Sequence, residues 1–420
     1  MKATIAGDVA GLFFPRLAEL ALRVEATVSP KVERKMVYAG ANKASYQVAS
    51  DDLKELAELD IKTERIRLAT LRNGKARREL EKILQDAFLE KSIPDQNDSG
   101  PADKEAPELA VVMSDGGRYQ RFDRGGEKPE SGSFWKESRM AILLSMKTKS
   151  HQEDPDADLP DFLQDVCIAK KLADMGSVAG ENPKSQRGDV PKDPPWQRPE
   201  LLSKDVVASG KTWKEFGPMV ASSAWYAGFF KATERVFVSD GSSAIEDMQQ
   251  QWFGNFTSVL DIMHALSYSL AAARAIYSEQ SQSWECYRRF ATLIWQGKVD
   301  EVIAELAQHQ KELGDPPGDA SDTDAREIVR RSRIYYRNHR GRMNYPEYRQ
   351  RGYPLTSSIM ESTVKQVNRR VKGSEKFWST AGGEAVLGLR AAYISDSKPM
   401  ENYWQQTQKT AIGCRAYLAA

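Results

Sequence analysis

Residues 235–264 read RVFVSDGSSAIEDMQQQWFGNFTSVLDIMH, and this stretch decides the fold class. Its β-branched and aromatic start, Arg235 to Ser239, predicts a strand that delivers a carboxylate, Asp240, to its tip. Gly241 permits a sharp turn into a helix. A second strand over 259–262 then ends in Asp261-x-x-His264. A carboxylate at the carboxyl end of a strand is how an open α/β sheet exposes chemistry to a crevice.

Upstream, Leu109-Ala110-Val111-Val112-Met113 is a continuous apolar run that ends at Ser114-Asp115-Gly116. Such a run fits a strand buried on both faces. A tight turn then leads to a partner strand over 117–122, and Met140 to Met146 supplies a third, giving an antiparallel meander. Residues 150–200 are acidic and proline-rich. They read as a solvated insertion with one short helix over 163–175 and little core, since the acids have no ordered ligand frame. Helical periodicity returns over 203–231, with Trp213, Phe216, Val220, Trp225, Phe229 and Phe230 as core residues.

Downstream of His264 the pattern is helical over 266–277, 284–295, 299–313 and 326–338. A further helix starts near Ser357 or Ser358, contains Glu361 and runs to Val371; a last one covers 383–394. The N-terminal part, 1–99, is also helical. There a helix over 51–59 capped by Ser50, a turn at 60–62, and a second helix capped by Thr63 and stopped at Asn73-Gly74 fit two readings. One is a helix-turn-helix that binds DNA; the other is a helical hairpin with a solvated basic face of Arg65, Arg67 and Arg72. Residues 91–107 read as a linker. The resulting division is 1–99 (helical, candidate DNA binding), 100–264 (first part of the sheet domain, with the 150–200 insert), 265–352 (helical insertion) and 353–420 (the Glu361 helix and C-terminal helices).

Composition narrows the class. The 420-residue chain is 40% hydrophobic and 28% charged with a net charge of +1, so charge distribution carries more information than its sum. Three scattered cysteines, Cys167, Cys286 and Cys414, exclude a cysteine-based zinc site and a disulfide framework. No run of about 18 apolar residues predicts a membrane span. The opening residues are too weak for a secretory signal. A cytoplasmic protein is expected.

The element order is a three-strand meander bearing Asp115, a helix, a strand ending at Asp240, another helix and strand, a helical insertion, and a helix bearing Glu361. That is the order of a ribonuclease H-like fold with a mixed five-stranded sheet. If the first and fourth strands pair in parallel, Asp115 and Asp240 lie side by side, and Glu361 reaches them from a packed helix. Three converging carboxylates repel unless cations neutralise them. Hard oxygen ligands with open positions suit Mg²⁺, two ions standing about 3.5–4 Å apart for in-line phosphoryl displacement. Asp115 would bridge both ions, Asp240 and Glu361 would each hold one, and Mn²⁺ would substitute. Taken singly, Ser-Asp-Gly after a strand is an ordinary turn and Glu361 an ordinary surface residue. Their joint placement at the right element ends carries the reading.

A phosphate-rich substrate agrees with the charge pattern. Between Arg330 and Lys376 there are 13 Lys or Arg against three acids, interleaved with Tyr335, Tyr336, Tyr345, Tyr348 and Tyr353. Basic residues among aromatics are the expected footprint of a nucleic-acid surface. The predicted DNA contacts are Arg330, Arg331, Arg333, Arg337, Arg340, Lys365, Arg369, Arg370, Lys372 and Lys376. Lys365, Arg369 and Lys372 continue the helical stripe of Glu361.

Together VVMSDGGRYQRF around Asp115, VFVSDGSSAI around Asp240, VLDIMHALSY, and YPLTSSIMESTVKQVNRRVKGSEKFWS around Glu361 resemble bacterial insertion-sequence DDE transposases. The group is the ISKra-type one, related to Mutator-like transposases. Asp261 and His264 are similar to that superfamily's C/D(2)H motif. The resemblance implies a ribonuclease H-like transposase acting on double-stranded DNA, both element ends and target, as a homodimer or higher oligomer. It implies Asp261 as a supporting residue and His264 as either a structural histidine or a DNA contact near the metals. The sequence departs from the group at Thr356-Ser357-Ser358, where relatives carry a Gly-Ser-Gly-like approach, so a shifted helix start is expected. It also starts just before Gly11-Leu12-Phe13-Phe14-Pro15 without the relatives' cysteine ribbon, which suggests a shortened copy with altered end recognition. Two other readings stay open: a catalytically silent, transposase-derived DNA-binding protein, and a ribonuclease H-like nuclease or resolvase. Terminal inverted repeats flanking the gene discriminate the last.

Overall fold

A computed structural model describes residues 28–123, 133–165 and 198–416. The Gly11 to Pro15 segment and most of the helix expected over 163–175 lie outside the described residues. The chain begins with helices α1 (Pro30–Asn42), α2 (Tyr46–Ala57), α3 (Thr63–Leu89) and α4 (Ile93–Asp98). Strands β1 (Leu109–Arg121), β2 (Trp135–Lys147) and β3 (Glu200–Ser209) follow, then α5 (Trp213–Tyr226), β4 (Glu234–Ser239), α6 (Ser243–Trp252) and β5 (Thr257–Leu260). Next come α7 (Ile262–Ile276), α8 (Gln280–Trp295), α9 (Val299–Leu313), α10 (Ala325–His339) and α11 (Tyr345–Gln350). The chain closes with α12 (Ser358–Val371), β6 (Phe377–Trp378), α13 (Thr380–Tyr393) and α14 (Pro399–Ala416).

The protein is α/β, built on one mixed sheet in the order β3-β2-β1-β4-β5, with β6 against the far end of β1. β1 and β2, and β2 and β3, are antiparallel, whereas β1, β4 and β5 run parallel. The apolar run that starts β1 explains its central position. Leu109, Val111 and Met113 enter one core while Ala110 and Val112 enter the other, all fully buried. Each larger side chain contributes about 1.5–3 kcal/mol when buried in this way. On the second face, α5 packs Phe216, Val220 and Trp225, with Phe229 and Phe230 just after it, as expected; Trp213 is only partly buried. Among the described residues no helix is long and apolar enough to cross a membrane.

Several expectations are corrected. Gly116-Gly117 is not a turn, because β1 stays in register with β2 from Leu109 to Gln120. The third strand is therefore β3, within a stretch whose apolar spacing suggests a helix. Asn73-Gly74 does not stop α3, which continues to Leu89. The Asn73 amide is satisfied within and beside the helix by Ala69 O and Glu33, and Gly74 packs directly against Ala385 of α13. Ser45, not Ser50, caps α2; Ser50 instead donates to Ile61 O. Thr63 makes no cap, its hydroxyl donating to Gln47.

The 91–107 stretch carries α4 and is docked, with Trp225 Nε1 donating to Asp95 O and Arg235 to Asn97 O. The described start of the acidic insert also joins the core through Leu159 and Leu163. Arg349, fully buried over the Trp295 ring, pairs with Asp154, and Trp295 Nε1 donates to Asp156 O. Acidic residues there neutralise a buried cation, which a solvated-loop reading of composition does not anticipate. Helices from both chain ends share a third cluster, Met36, Val37, Leu53 and Ile66 meeting Leu389, Tyr403 and Trp404.

Candidate active site

The parallel pairing of β1 with β4 aligns Met113 with Val238. Two residues further on stand Asp115, within β1 and not at its end as expected, and Asp240, just past the end of β4. β4 ends at Ser239, so Asp240 starts the turn, and its Oδ1 accepts the Ser242 amide at 2.9 Å. Asp115 remains in β1, its Oδ1 accepting from Gly116 N at 2.6 Å. Gly241 adopts φ +88°, and a Cβ there would stand 2.9 Å from His339 Nε2. Glycine is thus required both by backbone sign and by space. Tyr335 fixes the tip further by donating to Asp240 O at 2.9 Å.

Electrostatics bring the third carboxylate into the group. Burial, followed by the charges of Asp240 and, more weakly, Glu361, raises Asp115 from its ordinary 3.8 to about 6; the Gly116 bond and His264 oppose this. Glu361 sits in the first turn of α12, half exposed, with Lys365 Nζ 3.8 Å from its carboxylate. The approach of α12 to β1 is close, Asn368 Oδ1 lying 3.2 Å from where a Cβ of Gly117 would be.

Asp261 and His264 form the connecting piece. Asp261 is buried and caps α7, with Oδ1 accepting Met263 N at 2.7 Å. Its Oδ2 accepts the Ser357 amide at 2.8 Å and the Ser357 hydroxyl. Ser357 is the residue from which α12 springs. Ile262 N also donates to Leu355 O at 3.0 Å. The strand tip after β5 is therefore tied to the entry of the Glu361 helix. α12 starts at Ser358, and the Ser357 hydroxyl at its entry has Asp261 as its acceptor.

His264 Nδ1 is buried without a hydrogen-bond partner, and the Asp261 carboxylate is 3.6 Å away, an ion-pair separation rather than a hydrogen bond. Burial opposes its protonation, but Asp261, Asp240 and Asp115 together push it up to about 9. Burial likewise works to raise Asp261, yet His264 and the Ser357 donors hold it below the usual carboxylate range. At neutral pH an imidazolium thus faces the Asp115–Asp240 edge.

Whether these groups suit a divalent cation is answered by their chemistry. Among the described residues no three His, Cys, Asp or Glu side chains form a group that could hold a metal ion. Asp115 and Asp240 nevertheless present hard oxygens whose mutual repulsion a cation relieves. Mg²⁺ is held through one or two carboxylates with waters and substrate phosphate, so a closed cage is not required. The pair fits the ion, with Glu361 near enough to be felt.

The predicted DNA contacts divide. Arg333, Arg337, Arg369 and Lys372 have at least part of the side chain accessible, as does Lys365. Arg330 pairs with Glu327 at 2.6 Å, Arg331 with Asp322 at 2.7 Å, and Arg340 lies 3.8 Å from Asp300. Lys376 is half-buried against Arg369 O and Arg370 O. Arg370 is buried, donating to Gly40 O, so it is not part of an open basic stripe.

The interleaved tyrosines are not a stacking surface either. Tyr335, Tyr336, Tyr345, Tyr348 and Tyr353 are all buried. Tyr345 and Tyr348 donate to Leu260 O and Ser258 O on β5, Tyr336 to Ala265 O, and Tyr353 to Glu234. They clamp the helical insertion onto the sheet edge, which sequence spacing alone does not separate from exposure. Sequence reasoning also missed His339, whose Nδ1 lies 2.9 Å from Glu246 with Arg342 on the same carboxylate. No spacing signal marks that group. Compared with protein-family models and with curated proteins, the chain matches none.

Proposed function

We propose that this chain is a DDE transposase with a ribonuclease H-like catalytic domain, acting on double-stranded DNA at element ends and target. The carrying observation is that the parallel pairing of β1 with β4 sets Asp115 beside Asp240; burial and the charges of Asp240 and Glu361 raise Asp115 to about 6. Asp115 on a central strand thus feels the carboxylates of its parallel neighbour's tip and of a packed helix. The parallel pairing of β1 with β4 beside an antiparallel β1-β2-β3 supports the fold assignment, because the reading requires the Asp115 and Asp240 strands to be parallel neighbours.

In this reading Asp115, Asp240 and Glu361 hold magnesium, with manganese as a substitute. When bound, the metal supplies an activated water and charge neutralisation for displacement at phosphorus. The chain's own groups do the rest. The sheet edge holds Asp115 and Asp240 at fixed separation, Asp261 sets where α12 begins, and α12 presents Glu361. His264 keeps its proton at neutral pH and places a positive charge beside two carboxylates, a suitable counter-charge for a phosphate oxygen. Lys365, Arg369 and Lys372 extend along α12 from Glu361 for the DNA backbone. Two ends require at least two protomers, so a homodimer or larger assembly is part of the proposal.

The test is Mg²⁺- or Mn²⁺-dependent cleavage or strand transfer on DNA carrying the sequences that flank the gene on both sides, any inverted repeats included. Activity is expected from the wild-type chain and not from Asp240→Ala. Equal activity in Asp240→Ala overturns the site. Specific end binding with no metal-dependent cleavage under any condition selects the silent DNA-binding reading instead.

A further inference from the structure

Asp115 stands inside β1, where its backbone is laddered to Met140 of β2. Asp240 lacks that support. The ladder of β4 with β5 ends at Ser239 opposite Leu260, and Asp240 lies one residue beyond it. Glu361 is carried by α12, off the sheet altogether. A carboxylate beyond the last ladder bond keeps its place only if neighbouring side chains hold its turn.

The turn from Asp240 to Glu246 is held by α10 of the helical insertion. Near the end of that helix Tyr335 donates to Asp240 O at 2.9 Å. One turn later His339, 7% exposed, packs its ring 4.5 Å from the Tyr335 ring. Its Nε2 lies 2.9 Å from where a Cβ of Gly241 would be, and its Nδ1 lies 2.9 Å from Glu246 Oε1. Arg342, just past the helix, reaches the same carboxylate. Spaced by four and three residues, these side chains share one side of the segment and meet the Asp240 turn at its start and its end.

α10 is in turn locked to α7. The Tyr335 ring stacks on Tyr268 with centroids 3.8 Å apart, and Tyr336 Oη donates to Ala265 O at 2.7 Å. α7 is capped by Asp261, the carboxylate that accepts both Ser357 donors at the entry of α12. One packed pair of helices therefore reaches both the Asp240 turn and the start of the Glu361 helix.

We propose that the α7–α10 pair is the frame that sets Asp240 and Glu361 in register with Asp115, with Tyr335 and His339 as positioning residues for Asp240. This rests on the metal-binding reading of the carboxylates. Side chains that hold a metal's ligands in place contribute about 10–100-fold to its affinity, so loss of either contact is read in metal binding with no DNA present. Tyr348 supplies the contrast. It is also buried in the insertion and donates to the sheet, but at Ser258 O, beside Phe237 of β4 rather than at the Asp240 turn.

Full-length wild type, Asp240→Ala, Tyr335→Phe, His339→Asn and Tyr348→Phe are titrated with Mn²⁺ by calorimetry, with circular dichroism and melting curves as the check on folding. His339→Asn keeps a donor toward Glu246 and removes the ring edge against Gly241. The expected result is saturable Mn²⁺ binding by the wild type, lost in Asp240→Ala, about tenfold weaker in Tyr335→Phe and severalfold weaker in His339→Asn. Tyr348→Phe is expected to melt lower and to bind Mn²⁺ as the wild type does. Full-strength binding in folded Tyr335→Phe and His339→Asn, beside its loss in Asp240→Ala, overturns this inference and leaves the metal site standing. Equal weakening in Tyr348→Phe overturns it as well, since the insertion then acts on the site only through overall stability. No binding by the wild type refutes the metal reading itself, and the inference falls with it.

Discussion

Replacing Asp115 by asparagine should make the protein more stable at neutral pH. The amide side chain has nearly the same shape and can still accept the Gly116 amide, but it removes a charge that burial, Asp240 and Glu361 disfavour. The rise from 3.8 to about 6 corresponds to about 3 kcal/mol at about 1.36 kcal/mol per pH unit. The sign follows from proton binding. Between about pH 4 and 6 the folded chain holds this proton and the unfolded chain does not, so wild-type stability from this group is present below pH 4 and falls as pH rises through 6. With about 2.1 cal/mol/K of unfolding entropy per residue over 420 residues, the gain in Asp115→Asn amounts to roughly 3 °C in melting temperature at pH 7.5. It should vanish near pH 4. Adding Mg²⁺ should raise the wild-type melting temperature toward that of the variant and leave the variant almost unmoved, because the ion removes the same repulsion. Differential scanning fluorimetry across pH 4–8, with and without Mg²⁺, measures both. A variant less stable than wild type at pH 7.5, or a gap independent of pH, would refute the argument that these carboxylates repel one another.

Other expectations follow from the same geometry. Ser357→Ala should cost about 1 kcal/mol and Asp261→Ala about 2–4 kcal/mol, with a double-mutant cycle in urea melts showing that they are coupled; additive losses would contradict the direct bond. Gly241→Ala should lose about 1–2 kcal/mol from the left-handed backbone alone, and more from the contact with His339, read as a lowered melting temperature. Removing Lys365 and Arg369 together should lower the slope of log binding constant against log salt by about 2 for duplex DNA. Tyr345→Phe, which loses only a bond to Leu260 O, should leave that slope unchanged while lowering stability by about 1 kcal/mol.

The central strands were legible because each had a local cause: a five-residue apolar run for β1 and a β-branched run before Asp240 for β4. The helices after His264 were legible for the same reason, and α9 falls on the expected residues 299–313. What failed has a shared physical origin in long-range packing. Asn73-Gly74 carries a local stop signal, but contact with Ala385 from 311 positions later keeps the helix going. β3 is a strand because it pairs with β2 along nine positions, a tertiary fact that overrides its helical spacing. The tyrosines and Arg370 show the limit for sites: composition reports what residues are present between 330 and 376, and only the fold sorts those that hold the insertion in place from those that face outward.

That sorting changes how the approach to Glu361 is understood. From sequence, Thr356-Ser357-Ser358 looks like a weakened version of a small-residue turn, and Asp261-x-x-His264 like a separate motif. In the fold they are two halves of one contact: Asp261 accepts both Ser357 donors, caps α7, and faces His264. A single carboxylate therefore sets the start of the Glu361 helix and the charge on the imidazole beside Asp115 and Asp240. A glycine in place of Ser357 would keep the amide bond and lose the hydroxyl, leaving one acceptor lone pair of a fully buried carboxylate unsatisfied. The serine is the residue that the aspartate at 261 calls for, so the two positions should be substituted together rather than one at a time.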